Sequence, residues 1–251
     1  YNEEKDIRLC LESLKNQNYK NTEIIIIDDG STDKTLEIVK SMGVSVMKQN
    51  HGGPGKARNL GAKNAKGEIL VFVDADMHFP KDYINNLVRL IINDDKIIGT
   101  THDYEIATNT DNKWGNLWGK VRVDKKNANE VRIFRAIRKE KFLGMGGFDS
   151  KYGYADDQTF WYKYGIMPTV AKNTTCYHKN PDSLEGTYKQ ARWIGMSWKE
   201  RYGIFRIPII NRIIILGLRI MRPLLAMIKA LMKNDKETNT KERIKYYNAK
   251  F

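Results

Sequence analysis

Carboxylates gathered at the ends of apolar runs are the first residues in this sequence equipped for chemistry. The run "EIIIIDDGSTD" at 23–33 closes on Asp28 and Asp29, and "EILVFVDADMHFP" at 68–80 closes on Asp74 and Asp76. Alternate residues of an extended segment point the same way, so Asp74 and Asp76 can address one site. Two carboxylates on one site repel unless a proton or a cation neutralises them. A divalent cation whose shell is completed by phosphate oxygens would do this, and would let an anionic nucleotide sit among acids. The alternative is that both clusters are solvated caps of the helices that follow. Of the histidines, His78 stands two residues after Asp76, where it can add a metal contact, and His178 in "CYHKNP" follows a strand. His51 reads as a loop residue, and His102 has no assignment.

These side chains need elements to hold them. Residues 3–16 place Ile7, Leu11 and Leu14 at helical spacing. A strand is expected at 23–27, then a helix in "GSTDKTLEIVKSMG" capped by Asp33 or Thr32 and ended by Gly43. A short strand at 44–47 leads into the Gly-rich "QNHGGPGKARNLGAKNAKGE", which runs into a helix. Another strand follows at 69–73 and a helix at 81–93. This alternation predicts an α/β, Rossmann-like, mostly parallel central sheet flanked by helices. Ligands of such sheets bind beyond the carboxyl ends of the strands, which puts both acidic clusters on one rim. The pattern loosens at 97–135, where "KIIGTTHDYEIA" and "EVRIFRAI" read as strands. Helices are expected around 138–143 and 158–164, a strand in "TVAKNTTCYHK", and helices from Pro181 onward.

The 251 residues are 41% hydrophobic and 10% aromatic, enough for a substantial core. Cys10 and Cys176, the two cysteines, are too few for a disulfide framework and fit a reducing compartment. The net charge of +13 points to an anionic partner. Nucleic acid is not expected, because the sequence has neither zinc-ligand spacing nor a ribonucleoprotein-type aromatic motif. The chain opens at Tyr1 without Met, so nothing about a leader is read from its start.

"YNEE" at 1–4, "DDGSTD" at 28–33, "GGPGKARN" at 52–59, "DAD" at 74–76 and "GGFD…ADDQTF" at 146–160 recur in an order that resembles the family 2 glycosyltransferases, inverting enzymes of GT-A fold. The resemblance covers residues 1 to about 200. It implies a GT-A catalytic domain at 1–200, with a nucleotide-sugar half (1–100) and an acceptor half (101–200). It implies transfer of a sugar from a UDP- or GDP-linked donor to a hydroxyl or phosphate acceptor, in cell-surface glycan or lipid-linked saccharide synthesis. By that resemblance Tyr1 stacks on the base, Glu3 lines the donor pocket and Asp29 accepts a hydrogen bond from the base. Arg58 sits near the base or the phosphates, Asp74 contacts the ribose, and Asp76 binds Mg²⁺ or Mn²⁺ with His178 in reach. Asp157 is the expected base that deprotonates the acceptor, and an N-cap of helix 158–164 is its alternative role. The family more often has Glu where Asp156 stands. "KQARW" at 189–193 falls one residue short of the Gln-x-x-Arg-Trp motif of processive members, so no polymerase is expected. Family members also carry a strand before the "YNEE" position. The sequence is therefore expected to be a fragment lacking that strand and to be poorly stable alone.

Residues 203–232 are apolar but interrupted by Arg212, Arg219, Arg222, Lys229 and the helix-breaking Pro223. A membrane-spanning helix needs about 20 mostly apolar residues with few charges. Cations 7, 3 and 7 apart share one helical face. The expectation is an amphipathic helical tail at 201–251, lying on the inner face of the cell membrane in a cytoplasmic, peripheral protein. Packing on the catalytic domain is its alternative. Two rival functions remain open at this level. One is a haloacid-dehalogenase-type phosphatase, which also uses Asp-x-Asp at a strand end. The other is a non-catalytic nucleotide-sugar-binding module.

Overall fold

A computed structural model describes residues 1–197. The basic stripe at 203–232, Trp198 and the tail at 201–251 lie outside the described residues. Helix α1 (Ile7–Lys15) buries Ile7, Cys10, Leu11 and Leu14 on one face, the spacing of an amphipathic helix. Strands β1 (Ile25–Asp28) and β2 (Ser45–Lys48) pair in parallel through α2 (Thr35–Ser41). Gly43, at φ 65°, takes the left-handed conformation that stops α2. Asp33 satisfies the first turn as expected, its Oδ1 accepting from Thr35 N at 3.0 Å. Then come α3 (Pro54–Asn64), β3 (Ile69–Val71), β4 (Met77–His78) and α4 (Tyr83–Asn93).

The second half supplies β5 (Gly99–Ala107), α5 (Lys113–Leu117), β6 (Val121–Val123), β7 (Ala136–Arg138), α6 (Lys139–Gly144), α7 (Thr159–Tyr164), β8 (Thr169–His178) and α8 (Leu184–Met196). A 3₁₀ segment, Ser150–Gln158, precedes α7 and kinks at Gly153. The larger sheet runs β3-β7-β5-β8-β4, with β6 also on β5. The expected α/β, Rossmann-like architecture is present, but the pairing within this sheet is mixed rather than mostly parallel. β5–β8 is parallel, whereas β3–β7, β4–β8, β5–β6 and β5–β7 are antiparallel. The cause is connectivity. β5, β6 and β7 follow one another through loops and short turns, and only a long crossover brings a strand back in the same direction. The β5–β8 ladder shifts register between His102 and Tyr104. There Asp103 accepts from Asn173 N at 2.9 Å and Thr174 N at 2.8 Å, satisfying the amides that the break exposes.

The core follows these layers. α1 and α4 pack on the sheet through Cys10, Leu14, Leu87, Val88 and Ile91, with Met77, Ala136 and Cys176 beneath them. A second cluster gathers Phe134, Phe142, Phe148 and Phe160, with Phe72 against it. Its ring pairs have centroids 4.9–5.8 Å apart. Full burial of one such ring stabilises by roughly 1.5–3 kcal/mol. This cluster fixes α6 and α7, and so the acidic segment just before α7.

Two compact units are defined. The first holds Tyr1–Thr108, Gly119–Ser150 and Asp156–Lys179, and it contains every candidate site residue. The second holds Asn109–Trp118, Lys151–Ala155 and the chain from Asn180. In the second unit, Asn109 and Asn180 exchange hydrogen bonds of 2.7 and 2.9 Å, and Trp193 of α8 meets the Tyr154 ring edge-on at 5.2 Å. Among the described residues no helix is long and apolar enough to cross a membrane.

Candidate active site

The "YNEE" and "DDGSTD" motifs recur together because each completes the other. Asn2 N donates to Ser31 Oγ (3.0 Å) and Thr32 N to Asn2 Oδ1 (2.8 Å). Glu4 N donates to Asp33 Oδ2 and Lys34 N to Glu4 Oε2, both at 3.1 Å. This lacing holds Tyr1, whose exposed ring lies 4.5 Å from that of His51.

Asp29 is buried, and its carboxylate is surrounded by donors. Oδ1 accepts from Gln49 Nε2 (2.6 Å) and Gly52 N (2.8 Å), and Oδ2 from Gly53 N (2.9 Å), with His51 Nδ1 at 3.0 Å. Burial pushes its pKa up, but these donors outweigh burial and hold it below the usual carboxylate range. Asp29 thus braces the Gly-rich loop. The base contact expected of it requires a donor to give way, and the exposed His51 is the one free to do so.

Asp74 sits between two guanidiniums. Arg58 reaches Oδ1 at 2.5 Å and Arg135 reaches Oδ2 at 3.2 Å. Burial opposes its ionisation, yet the two arginines keep it well below the ordinary range. Arg58 also reaches Asp156 Oδ1 at 3.2 Å, so it links the Asp-x-Asp segment to the later acidic pair. Asp76 behaves oppositely. Burial first, then the charge of Asp74, push it up to about 7. Burial, then Asp76, likewise lift Glu3 to about 7.

The sheet brings the backbone around His178 against the backbone around Asp76. Met77 pairs with His178 across β4 and β8, and Lys179 N donates to Asp76 O at 3.1 Å. A carboxylate whose ionisation is opposed by burial and by the neighbouring charge of Asp74 is suited to neutralisation by a divalent cation. His78 stacks on Tyr177 with ring centroids 4.9 Å apart and 15° between the planes.

Asp156 and Asp157 divide their roles. Asp156 is 3% exposed, with Oδ2 accepting from Gly55 N at 2.7 Å and Oδ1 from Arg58. Burial pushes it up to about 6. Asp157 is half-buried, and its carboxylate has no hydrogen-bond partner among the described residues. Its pKa is raised by burial. It is not the N-cap of α7; Gln158 holds that position, without a side-chain bond. Gly55 is required where it stands, since a Cβ there would overlap Asp156 Oδ2.

Three groups escaped the sequence reading. Arg135 lies in an apolar-looking strand, and Glu105 and His102 lie in a run that shows only alternation. No motif marks them, because their partners come from β5, β6 and β8 and meet only in the folded sheet. His51, read as loop, turns out to contact both Asp29 and Tyr1.

Acidic strand ends, a glycine-rich loop braced on one of them and a carboxylate left unbonded nearby define a GT-A glycosyltransferase fold. The sequence matches the family described as Glycosyl transferase family 2 over residues 1–148, and the chain belongs to that family. It is 45% identical over 99 residues to the Staphylococcus aureus poly(ribitol-phosphate) beta-N-acetylglucosaminyltransferase TarS, a match that spans 36% of this chain and 17% of that protein. The crystal structure of S. aureus TarS 1-349 in complex with UDP-GlcNAc superposes with TM-score 0.57 at 23% identity, covering 76% of this chain and 63% of that one. The mannosyltransferase PcManGT from Pyrobaculum calidifontis, in complex with GDP-Man and Mn²⁺, gives 0.59 at 21% identity, over 94% and 74%. The chain thus spans about one sixth of the length of TarS, one of the curated relatives it matches. The phosphatase and the non-catalytic module find no support. A phosphatase nucleophile needs a free carboxylate on Asp74, and that carboxylate is held by two arginines.

Proposed function

We propose that the chain transfers a sugar from a UDP- or GDP-linked donor to a hydroxyl acceptor with inversion, in the synthesis of a cell-surface or lipid-linked glycan. The observation that carries this is the pairing of an anchored Asp156 with an unbonded Asp157, in the same compact unit as the Asp74–Arg58 clamp. Asp157 takes the acceptor proton while the acceptor oxygen bonds to the anomeric carbon and the bond to the diphosphate breaks on the opposite face. Its raised pKa makes it a stronger base than an exposed aspartate. Asp76 and His178 would hold Mg²⁺ or Mn²⁺, and such an ion would supply positive charge to the diphosphate. Tyr1 and His51 flank the base, Glu3 lines the pocket, Asp74 meets the ribose, and Arg58 keeps Asp74 ionised. The name of TarS, a poly(ribitol-phosphate) beta-N-acetylglucosaminyltransferase, supports an anionic polyol-phosphate polymer as acceptor class. The basic stripe of Arg212, Arg219, Arg222 and Lys229 supports docking on the inner membrane face.

Calorimetry with a panel of nucleotide sugars, with and without Mn²⁺, tests the reading. Metal-dependent binding of one UDP- or GDP-sugar, lost in Asp76→Ala, supports it. A folded protein that binds none of them overturns it. Recovery of the protein in the soluble fraction after low-salt membrane fractionation removes the membrane part alone.

A further inference from the structure

Asp74 is held from two sides, and only one of them has a part in the proposed reaction. Arg135 Nη1 donates to Asp74 Oδ2 at 3.2 Å, while Arg58 holds Oδ1. Arg135 is 6% exposed, whereas the Asp74 side chain is 39% exposed. A guanidinium is thus taken out of water while the carboxylate it serves stays open to solvent. Its backbone is pinned on both sides. Arg135 N donates to Thr100 O of β5 at 2.9 Å, and its carbonyl accepts from Phe72 N, two positions before Asp74, at 2.8 Å. Burying a charge is costly unless it is paired and hydrogen-bonded. Among the described residues the one side-chain hydrogen bond that Arg135 makes is the one to Asp74, and its Nε has no partner.

Behind the guanidinium stands Glu105, with Oε2 3.6 Å from Arg135 Nη2. Glu105 is buried and is itself flanked by His102 Nε2 at 3.1 Å and by Arg122 Nη1 at 3.5 Å. His102, Glu105 and Cys176 lie close enough together for a cation. His102, however, turns Nδ1 to Cys176 Sγ and Nε2 to Glu105, so no one nitrogen faces both. The cluster backs Arg135 rather than holding an ion. A forked guanidinium can stand against two carboxylates at once, which a single ammonium does less well.

Each oxygen of Asp74 takes one arginine N–H. A carboxylate offers about four acceptor positions in all, so one remains open on each oxygen. Two adjacent open acceptors suit a vicinal pair of hydroxyls. We infer that Arg135 is a positioning residue for the donor's ribose: it fixes the plane of the Asp74 carboxylate so that both oxygens face the 2′- and 3′-hydroxyls. With Arg58 alone the carboxylate could turn, because the last torsion of an aspartate is broad and a contact on Oδ1 does not fix the second oxygen. The inference rests on the contact proposed between Asp74 and the ribose.

Calorimetry on the full chain with Mn²⁺ tests this, using UDP, 2′-deoxy-UDP and 3′-deoxy-UDP, or the guanosine set if UDP gives no response. In the unaltered chain each deoxy analogue should bind about 10–100-fold more weakly, the worth of one hydrogen bond to a charged group. Arg135→Lys keeps the positive charge but not the fork. It should weaken UDP about 10–100-fold and the deoxy analogues much less, so that the preference for ribose falls below about 10-fold. General damage to the fold would weaken all three alike. A folded Arg135→Lys that keeps the full preference overturns the inference. If the unaltered chain shows no preference, Asp74 does not meet the ribose and the inference falls with that contact. If neither nucleotide binds, the donor reading itself fails, and the inference with it. Should Arg135→Lys not fold, a crystal structure of the unaltered chain with UDP decides. Asp74 bonded to both hydroxyls and to Arg135 supports the inference, and Asp74 turned away from Arg135 overturns it.

Discussion

Gly55→Ala tests the close approach on which the acidic pair depends. The added methyl would occupy the space of Asp156 Oδ2, which now accepts from Gly55 N at 2.7 Å. Asp156 cannot retreat easily, being 3% exposed and also bound to Arg58. Losing a hydrogen bond to a charged acceptor costs about 1.5–3 kcal/mol, and overpacking a filled site about 1–3 kcal/mol. Alanine regains about 1 kcal/mol of helix propensity over glycine. The net is a loss of about 1.5–5 kcal/mol, with Asp157 displaced along with its neighbour. Gly61→Ala is the internal control. It lies in the same helix, but its methyl would meet only the Ile27 side chain, Cγ1 at 3.4 Å and Cδ1 at 3.9 Å, ordinary contacts. That variant should be neutral or gain up to about 1 kcal/mol. Urea unfolding at pH 8, where Asp156 is ionised, measures both; with a slope of about 2–3 kcal/mol/M the Gly55 variant should lose roughly 0.5–2.5 M in midpoint. If the two variants unfold alike, Asp156 is not held against α3 and its anchoring role is refuted.

Asp157→Asn should abolish sugar transfer by about 10²–10⁴-fold while leaving donor affinity nearly unchanged; parallel loss of donor binding would remove it as the base. The raised pKa of Asp157 places the acid limb of kcat above the range of an exposed aspartate, so activity should fall on acidification well before pH reaches about 4. Asp156 is lifted from 3.8 to about 6 in the folded state, so its protonation favours folding. That contribution is full below about pH 4 and is lost as pH rises through about 6, and Asp156→Asn should flatten the stability profile in that window. Asp29→Ala should lower the melting temperature and donor affinity together, since it orphans the Gly52 and Gly53 amides; a drop in affinity with an unchanged melt would mean that the carboxylate serves only the base.

What the sequence made legible was local. The apolar stripe of α1, the Gly43 stop and the acidic ends of the runs at 23–33 and 68–80 lie within a few residues of the features they specify. The motif order also identified the GT-A fold and the family. Pairing direction in the second half was not legible, because β6 and β7 are short and follow loops rather than crossover helices. The division of labour between Asp156 and Asp157 was hidden too. Both look alike in "ADDQ", and only the approach of Gly55 and Arg58, about a hundred residues earlier, separates an occupied carboxylate from an open one. Arg135 and Glu105 were invisible for the same reason, since a buried charge inside an apolar run shows its purpose only through partners from other strands.

The register break at Asp103 has a consequence for how this protein can vary. In an uninterrupted strand, residues three apart look to opposite sides of the sheet. His102 and Glu105 nevertheless meet at 3.1 Å, and His102 also meets Cys176, the cross-strand partner of Glu105. The break resets the alternation once, and everything from Tyr104 onward takes its phase from it. Side chains along this strand can therefore be exchanged one at a time, but its length cannot. Deleting a single residue there would send every later side chain to the other side of the sheet, emptying the space behind the donor site and parting a carboxylate from the two arginines and two histidines that now surround it.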